Sequence, residues 1–573
     1  MHLPVATTGV AYDPVLEPSS PGGTMTVQPA GNYDYVIVGA GSAGCVLANR
    51  LSADPAVRVL LLEAWIKDSS PLIALPKGIA KLMTGAKHAW RTPVTQERFP
   101  GVAPTEVWSR GRVLGGSSSI NGMIYSRGHR LDYDDWGTLG GDEWGWDVMR
   151  TAYRAIENHQ LGATDYRGSG GPLDVSAGTF RYPLAEDMIR AGEEFGLPRR
   201  DELNHPDLEG VGYYSHTISH TKRRGQRVSA ARAFLEPVRN RPNLQVMTEA
   251  LVHRVVFEGG RASGVEIERG GTRTTVSCSG EVILSAGAIM SPAILQRSGI
   301  GDGRHLSSLG IDVVVDRPLV GGNMREHVAY AMPHRLVGTK GLNHRYRGIG
   351  LVPEFVQYGL FRTGSMATGP FEVGAFGRSA AAIDRPDVQL YMSAYSRVPG
   401  KYTTEKQPGF TIYAQMLKPT SLGRVAISSA DPAAPLTIEP NWLTTEADRR
   451  GAIAMVRMMR EYVSQPALAR WLGDEMSPGR SVTSDDEILD AVRRGLTSGL
   501  HAVGTAAMGR GADSVLDGRL RVRGVDGLRV VDCAAMPGLV SGNTNGPAMA
   551  FGWRAADLVL EDRTRPRESI RVP

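Results

Sequence analysis

The sequence predicts a mixed α/β fold in which a domain built on a parallel sheet is joined to a domain with an antiparallel sheet. The first observation is a β-α-β pattern at 33–62, where two apolar runs flank a glycine-rich turn and a helix-like segment. The second is a series of short strand-like runs between about 320 and 480, separated by Pro and Gly, which is typical of antiparallel strands. The third is the length of 573 residues, which exceeds one simple core.

The glycine-rich turn has the spacing G-x-G-x-x-G and predicts a dinucleotide site. Gly39 makes the tight turn, Gly41 lets backbone amides approach a diphosphate, and Gly44 lets the helix pack closely on the strand. Ser42 opens the helix, whose N-terminus attracts an anion. Glu63 ends the second strand, where a carboxylate accepts hydrogen bonds from ribose hydroxyls. This favours an unphosphorylated ribose, so the motif leaves FAD and NAD open.

Composition and charge narrow the function classes. The chain is 42% hydrophobic and 21% charged, and its net charge of +5 is spread without a basic block, so we expect no nucleic-acid partner. The sequence contains no run of 18 apolar residues, so we expect no membrane span. Residues 1–32 are rich in Pro, Gly, Ser and Thr and predict a disordered arm without a secretory signal, so we expect a cytoplasmic protein. Three widely spaced cysteines favour neither disulfides nor a metal site.

Further segments have local signals for strands and helices. The runs that predict strands are Leu244–Met247, Leu251–Phe257, Gly264–Ile267, Glu281–Leu284, Val388–Tyr391, Phe410–Tyr413, Arg424–Ile427 and Leu528–Asp532. The runs that predict helices are Ser291–Ser298, Thr445–Val463, Ser484–Gly495 and a segment starting near Pro547. Ser484 and Glu487 are spaced as a capping box, and Pro292 is expected in the first helical position of its run.

Long motifs in a fixed order resemble the glucose-methanol-choline (GMC) oxidoreductases, and most closely the choline dehydrogenase-like branch. They are the dinucleotide turn, G-R-V-L-G-G-S-S-S-I-N at 111–121, the glycine-bounded segment 287–301, and the block from His501 to Pro547. The resemblance covers about 33–560 and implies FAD rather than NAD. It implies an FAD-binding Rossmann-like domain mainly within 33–315, a substrate domain mainly within 316–500, and a return to the FAD domain at 501–573.

The resemblance also assigns roles to single residues. His501 is expected to be the catalytic base and Asn543 to orient the alcohol oxygen, since an amide is a poor base. Glu372 resembles a carboxylate that holds cationic substrates, although a buried ion pair or an exposed strand charge would also explain it. The positions expected at the cofactor are Gly39, Gly41, Ser42, Gly44, Glu63, Arg112, Gly116, Ser117, Asn121, Gly122, Val252, Asp532, Asn543 and Pro547.

The implied activity is the oxidation of a primary or secondary alcohol to the carbonyl, by proton abstraction and hydride transfer to flavin N5. Oxygen or another electron acceptor would reoxidise the flavin. Two alternatives stay open: a lyase of the same fold, similar to hydroxynitrile lyases, and a non-catalytic flavin-binding protein, against which the His501 and Asn543 pair argues. Trp65 departs from the family pattern, which has Gly there. Ile120 stands where some members link a histidine to the flavin, so we expect non-covalent FAD.

Overall fold

The computed structural model describes residues 32–95, 105–380, 383–398 and 401–564. Two seven-stranded sheets form the framework of this part of the chain. Each sheet is packed against its own large apolar core. The arm expected at 1–32 lies outside the described residues, apart from residue 32.

The first sheet joins five parallel strands to an antiparallel extension. The parallel strands lie in the order Leu244–Met247, Val59–Leu62, Tyr33–Val38, Thr272–Leu284 and Leu528–Val530. The beginning of the long fourth strand pairs instead with Arg261–Arg269, which pairs with Leu251–Glu258. All five parallel strands end at one edge of the sheet, which is where such sheets bind ligands.

Three helices cover this sheet in the first core. Helix Ser42–Leu51 packs against the last helix, Asn545–Thr564, which also contacts helix Trp146–Ile156. The first two approach closely, because a Cβ atom on Gly552 would lie only 3.1 Å from the Cα atom of Ala43. The last helix therefore begins beside the glycine-rich turn of the first strand.

The second sheet is antiparallel and draws its strands from distant parts of the chain. Its order is Leu472–Glu475, Val328–Leu336, Gly409–Met416, Val388–Ser393, Val373–Gly377 and Gly210–Tyr213. The short strand Thr497–Ser498 pairs with the beginning of Val328–Leu336. Helices Pro183–Glu194, Glu446–Val463 and Asp485–Gly495 supply apolar side chains to the second core.

Shorter elements connect the two sheets. The other helices of the described residues are Pro71–Ala74, Ile79–Thr84, Arg130–Gly140, Gly287–Arg297, Gly303–Ser308, Leu351–Phe361 and Pro466–Ala469. The two-stranded ladders pair Ala89–Thr95 with Thr105–Gly111, Glu157–His159 with Leu173–Val175, Ile300–Gly301 with Val315–Asp316, and Arg424–Ile427 with Leu436–Glu439.

The strands and helices predicted from the sequence are confirmed, most of them with shifts of a few residues at their ends. The predicted strand Glu281–Leu284 is the end of a longer strand that begins at Thr272. The capping box is present, since Ser484 Oγ accepts from the Glu487 amide and the Glu487 side chain accepts from Ser484. The expected position of Pro292 is wrong. Its helix begins at Gly287, so Pro292 lies inside it. The reason is tertiary, because Asp532 Oδ2 accepts from the Gly287 amide at 2.8 Å and fixes the helix start there.

Candidate active site

The two glycine-rich segments form one cradle at the edge where the parallel strands end. The Gly115 amide donates to the Ala40 carbonyl at 2.8 Å. A Cβ atom on Gly116 would lie 2.8 Å from the Cα atom of Gly41, and one on Gly44 would lie 2.0 Å from the Gly39 carbonyl oxygen. Only glycine permits this close backbone packing at these positions, which exposes the first-turn amides of the helix to a diphosphate.

Glu63 lies beside this cradle at the end of its strand. Its Oε2 accepts from the Ala40 amide at 3.1 Å, and burial raises the pKa of this carboxyl group to about 7. The Ala250 amide donates to the Glu63 carbonyl, which brings the strand carrying Val252 next to Glu63. Val252 itself is buried and paired with Ile267 in the antiparallel extension. The expected contacts of Glu63 and Val252 with FAD stay predictions.

Trp65 has a defined role in spite of its departure from the family pattern. The guanidinium carbon of Arg112 lies 3.4 Å from the Trp65 ring centroid and 4.3 Å from that of Trp90. Trp65 Nε1 also donates to the Lys87 carbonyl at 3.1 Å. The Arg112 cation is therefore held between two aromatic faces, an arrangement that stabilises it. The indole ring occupies space next to Glu63 that a glycine would leave open.

The end of the second glycine-rich segment contacts Arg227 and the segment before the antiparallel sheet. Asn121 Oδ1 accepts from Arg227 Nη1 at 2.8 Å, and Arg227 is fully buried. A Cβ atom on Gly122 would lie 3.2 Å from Pro370 Cγ, so this glycine contacts the segment that leads into the antiparallel sheet. Ser117 Oγ accepts from the Gly111 amide at 3.1 Å and closes the local turn. The sequence reasoning did not single out Arg227.

The last helix completes the cradle. Asn545 begins this helix and accepts a hydrogen bond from Ser42 Oγ at 2.9 Å, while Pro547 is buried in its first turn. The buried Asn545 Nδ2 has no acceptor among the described residues. Asp532 uses both carboxylate oxygens for protein donors: Oδ2 accepts from Ser291 Oγ at 2.6 Å and Oδ1 accepts from the Ala534 amide at 2.7 Å.

These residues fit FAD. Two helix N-termini converge on the cradle and would hold the diphosphate, Glu63 would accept from ribose hydroxyls, and the unsatisfied Asn545 Nδ2 would donate to a phosphate or ribityl oxygen. Nothing local in the sequence reveals that Ser42 lies next to Asn545.

His501 is positioned by a strand pairing that no local motif reveals. Ser498 pairs with Val328 and Thr497 pairs with Ala329. Val503 forms an antiparallel bridge with Arg325. The His501 ring therefore lies beside His327, with Nδ1 to Nδ1 at 3.0 Å.

The hydrogen bonds fix the tautomer of both histidines. His327 Nε2 is 3.2 Å from the Leu417 carbonyl oxygen, which only accepts, so this nitrogen carries the proton. Burial lowers the pKa of His327 to about 3, so the ring is neutral and its Nδ1 accepts from His501 Nδ1–H. Desolvation, His327 and Arg110 lower the pKa of His501 well below 6.5. Neutral His501 thus keeps an unprotonated Nε2, as a general base requires.

Glu326 and Arg110 form an ion pair beside His501, and each makes a hydrogen bond to the backbone next to its ring. Glu326 Oε1 accepts from the His501 amide at 2.7 Å, and Arg110 Nη2 lies 3.6 Å from Glu326 Oε2. Arg110 Nη1 also donates to the Leu500 carbonyl at 3.2 Å. Burial raises the pKa of Glu326 to about 7. The motifs of the sequence did not identify Glu326, Arg110 or His327. The only local signal for Glu326 and His327 is their position as a Glu-His pair just before the strand Val328–Leu336.

Asn543 faces His501. Its Nδ2 is 3.2 Å from His501 Nε2, and its Oδ1 accepts from Gln389 Nε2 at 3.2 Å. Gln389 is fully buried and also donates to Tyr214 Oη at 3.1 Å. The antiparallel sheet therefore orients the amide so that its donor points at the unprotonated nitrogen of His501. The structure brings the two predicted catalytic residues together.

Glu372 lies in a buried ion pair rather than at the His501–Asn543 pair. Its Oε1 is 3.2 Å from Lys77 Nζ, and both side chains are largely shielded from solvent. Lys77 also donates to the Gly369 carbonyl, and its ammonium lies 5.1 Å from the Tyr346 ring centroid. The carboxylate charge is thus compensated within the protein. Its expected contact with a substrate stays a prediction.

We expect that FAD is released intact when the protein is denatured. Ile120 is buried in a small aliphatic cluster with Ile73, Leu82 and Val113 and offers no nucleophile. Acid precipitation should leave a yellow supernatant and a colourless pellet. A yellow pellet, or a denatured protein mass increased by one FAD, would contradict this and direct attention to His88 and His129.

Comparisons with known proteins agree with this geometry. The GMC oxidoreductase family is matched by its N-terminal model at residues 33–329 and by its C-terminal model at 419–552. The chain is 39% identical to alcohol dehydrogenase [acceptor] of Pseudomonas putida over 92% of its own length and 96% of that protein's. It is 38% identical to the mitochondrial choline dehydrogenase of Mus musculus, over 93% and 91% of the two chains.

Solved structures show the same relationship. Pyridoxine 4-oxidase from Mesorbium loti superposes with a TM-score of 0.84 at 31% identity, covering 94% of this chain and all of the other. A structure on FAD modification in the formate oxidase of Aspergillus oryzae also has a TM-score of 0.84, at 25% identity over 93% of this chain and 99% of the other. The chain therefore belongs to the GMC oxidoreductase family and is an FAD-dependent enzyme acting on CH–OH donors.

Proposed function

We propose that this enzyme oxidises a primary or secondary alcohol to the carbonyl and that His501 is its base. The observation that supports this best is the distance of 3.2 Å between His501 Nε2 and Asn543 Nδ2, with His501 Nδ1 engaged by His327 Nδ1 at 3.0 Å. An alcohol oxygen beside these two groups would accept from Asn543 Nδ2, and its hydroxyl proton would replace the Asn543 donor at His501 Nε2. When bound, FAD supplies the acceptor for the hydride. The proton then resides on His501 Nε2, and Asn543 stabilises the developing alkoxide.

The surroundings of Asn543 favour an alcohol with an apolar or aryl substituent. The Tyr391 hydroxyl lies 3.5 Å from Asn543 Oδ1. The Tyr391 ring is packed with Phe371 and Tyr413 at centroid distances of 5.3 and 5.6 Å. Phe371 and Tyr413 are half-buried and stack on each other with their ring centroids 5.9 Å apart, so the three rings form one aromatic cluster beside Asn543. Aromatic faces bind apolar groups and also cations.

Anaerobic mixing of the holoenzyme with an alcohol panel tests the proposal. The panel contains aryl, aliphatic and amino alcohols and polyols, and flavin absorbance is followed with time. We expect bleaching, fastest with alcohols that carry an apolar or aryl substituent. A flavin that stays oxidised with every alcohol, while a cyanohydrin is cleaved, would support the lyase alternative instead.

The pH dependence of the reaction should follow Glu326 rather than His501. Desolvation, His327 and Arg110 hold the pKa of His501 well below 6.5, whereas burial raises the pKa of the Glu326 carboxyl group to about 7. Ionised Glu326 stabilises the positive charge that proton abstraction leaves on His501. Below pH 7 Glu326 is protonated, so the repulsion between the Arg110 cation and that positive charge is no longer balanced. We expect the rate of flavin reduction to rise roughly tenfold as pH increases through about 7, which corresponds to an interaction of about 1.4 kcal/mol.

Glu326→Gln separates the charge of this side chain from its hydrogen bond. The side-chain oxygen of the glutamine still accepts from the backbone amide of His501. We therefore expect the variant to reduce its flavin at every pH at the rate that the wild type shows below pH 7. Stopped-flow measurements at saturating alcohol would show this. An inflection near pH 7 that persists in the variant would assign the titration to another group.

A further inference from the structure

Helix Leu351–Phe361 is inverted relative to an ordinary surface helix. Its buried residues are the polar ones: Glu354 accepts from Arg345 Nε and Ser365 Oγ, and Tyr358 Oη donates to the Gly225 carbonyl at 3.2 Å. Its exposed residues are apolar. Val352, Phe355, Val356 and Leu360 follow the i, i+3, i+4, i+8 spacing of one helix face.

The exposure of this apolar face is large. Ile349 is 89% exposed, Leu360 is 71% exposed and Phe361 is 66% exposed. Six of the 13 exposed large hydrophobic side chains in the described residues belong to the segment 349–361. A contiguous apolar patch of this kind marks an interaction surface rather than a solvated one.

Basic side chains border the patch. Glu354 is the only acidic residue between 340 and 362, and it is buried and paired with Arg345. Arg362 follows the helix directly and is exposed. A Cβ atom on Gly225 would lie 2.3 Å from the Arg362 carbonyl oxygen, which places the exposed basic run 222–224 at the same end of the helix. The patch is therefore an apolar stripe with a positive rim.

We propose that this helix lies on the surface of an anionic lipid bilayer, with its apolar stripe in the interfacial region and the basic rim on the headgroups. An apolar stripe bordered by Lys and Arg is the pattern of helices that bind in the plane of a membrane. A second copy of the chain fits less well, because a two-fold contact would present the same patch, in which the segment 340–362 has no exposed acidic residue to meet the basic rim. Every helix of the described residues is too short or too polar to span a bilayer.

Co-sedimentation of the holoenzyme with vesicles tests this surface. One set of vesicles contains phosphatidylcholine alone, and the other contains phosphatidylcholine with phosphatidylglycerol. We expect binding to the anionic vesicles that weakens as salt is added. Phe355→Ser/Leu360→Ser/Phe361→Ser should lower the partition coefficient at least about tenfold, since three large apolar side chains are lost from the contact.

Two further variants make the outcome specific. Lys222→Gln/Arg224→Gln should weaken binding to anionic vesicles by about fivefold per residue and leave binding to neutral vesicles unchanged. Leu139→Ser/Leu161→Ser removes exposed apolar side chains elsewhere and should have no effect. Bound FAD and the rate of its reduction by alcohol should be the same in all variants, which excludes unfolding.

Three results would overturn the proposal. The first is wild-type protein that stays in the supernatant with both kinds of vesicle. The second is binding that the triple variant retains in full. The third is a concentration-dependent dimer, seen by sedimentation velocity, that the same triple variant abolishes, because the stripe would then be covered by a second copy.

Discussion

His501→Ala is expected to lower the rate of flavin reduction by about 10²–10⁴-fold while FAD stays bound, because a positioned general base contributes about this factor. A chain of hydrogen bonds supports this role. The Leu417 carbonyl fixes the proton of His327 on Nε2, His327 fixes that of His501 on Nδ1, and His501 Nε2 is left unprotonated beside Asn543 Nδ2. Stopped-flow reduction under anaerobic conditions with saturating alcohol measures the loss directly.

Controls around His501 distinguish base catalysis from a structural role. The bound-FAD spectrum and the thermal midpoint of His501→Ala should stay close to those of the wild type. Asn543→Ala removes a hydrogen-bond donor but no base, so its loss should be smaller than that of His501→Ala. A loss below about tenfold in His501→Ala would contradict the assignment of the base.

Glu372→Gln is expected to destabilise the protein by about 3–5 kcal/mol, because it leaves the buried Lys77 ammonium without its anion. Lys77 also contacts the Gly369 carbonyl and two tyrosine rings, but none of these carries a negative charge at neutral pH. Lys77→Met/Glu372→Gln removes both charges and should recover most of the loss. Urea denaturation of the holoenzyme, compared among wild type, single and double variants, measures the difference.

The same variants test the expected substrate role of Glu372. A direct contact with a cationic substrate would raise KM for amino alcohols in Glu372→Gln and leave KM for neutral alcohols unchanged. Equal, small effects on both classes would make the residue structural. A double variant no more stable than Glu372→Gln would show that the pair with Lys77 is not the source of the destabilisation.

Local patterns in the sequence determined the cofactor cradle and much of the framework. The turn at Gly39–Gly44 and the segment around Gly116 are predictable because glycines without Cβ atoms are required wherever two backbones approach this closely. The helix beginning after Ser484 is predictable because its capping box involves residues three apart. His501 and Asn543 were identified by their motifs, since each lies in a contiguous block.

Only the tertiary structure decided how these groups work. Pro292 lies within a helix because Asp532, about 240 residues away in the chain, fixes the helix start. The tautomer of His501 depends on His327 and on the Leu417 carbonyl, which are brought together by strand pairing.

The partner of Glu372 and the inverted helix Leu351–Phe361 were equally hidden. Lys77 lies 295 residues from Glu372 in the chain, and the helical spacing of Val352 and Phe355 predicts an apolar face without telling which way it points. The physical reason is the same in each case. Periodicity and motifs report interactions within a few residues, whereas proton positions, charge compensation and the orientation of a helix face depend on contacts that only the folded chain creates.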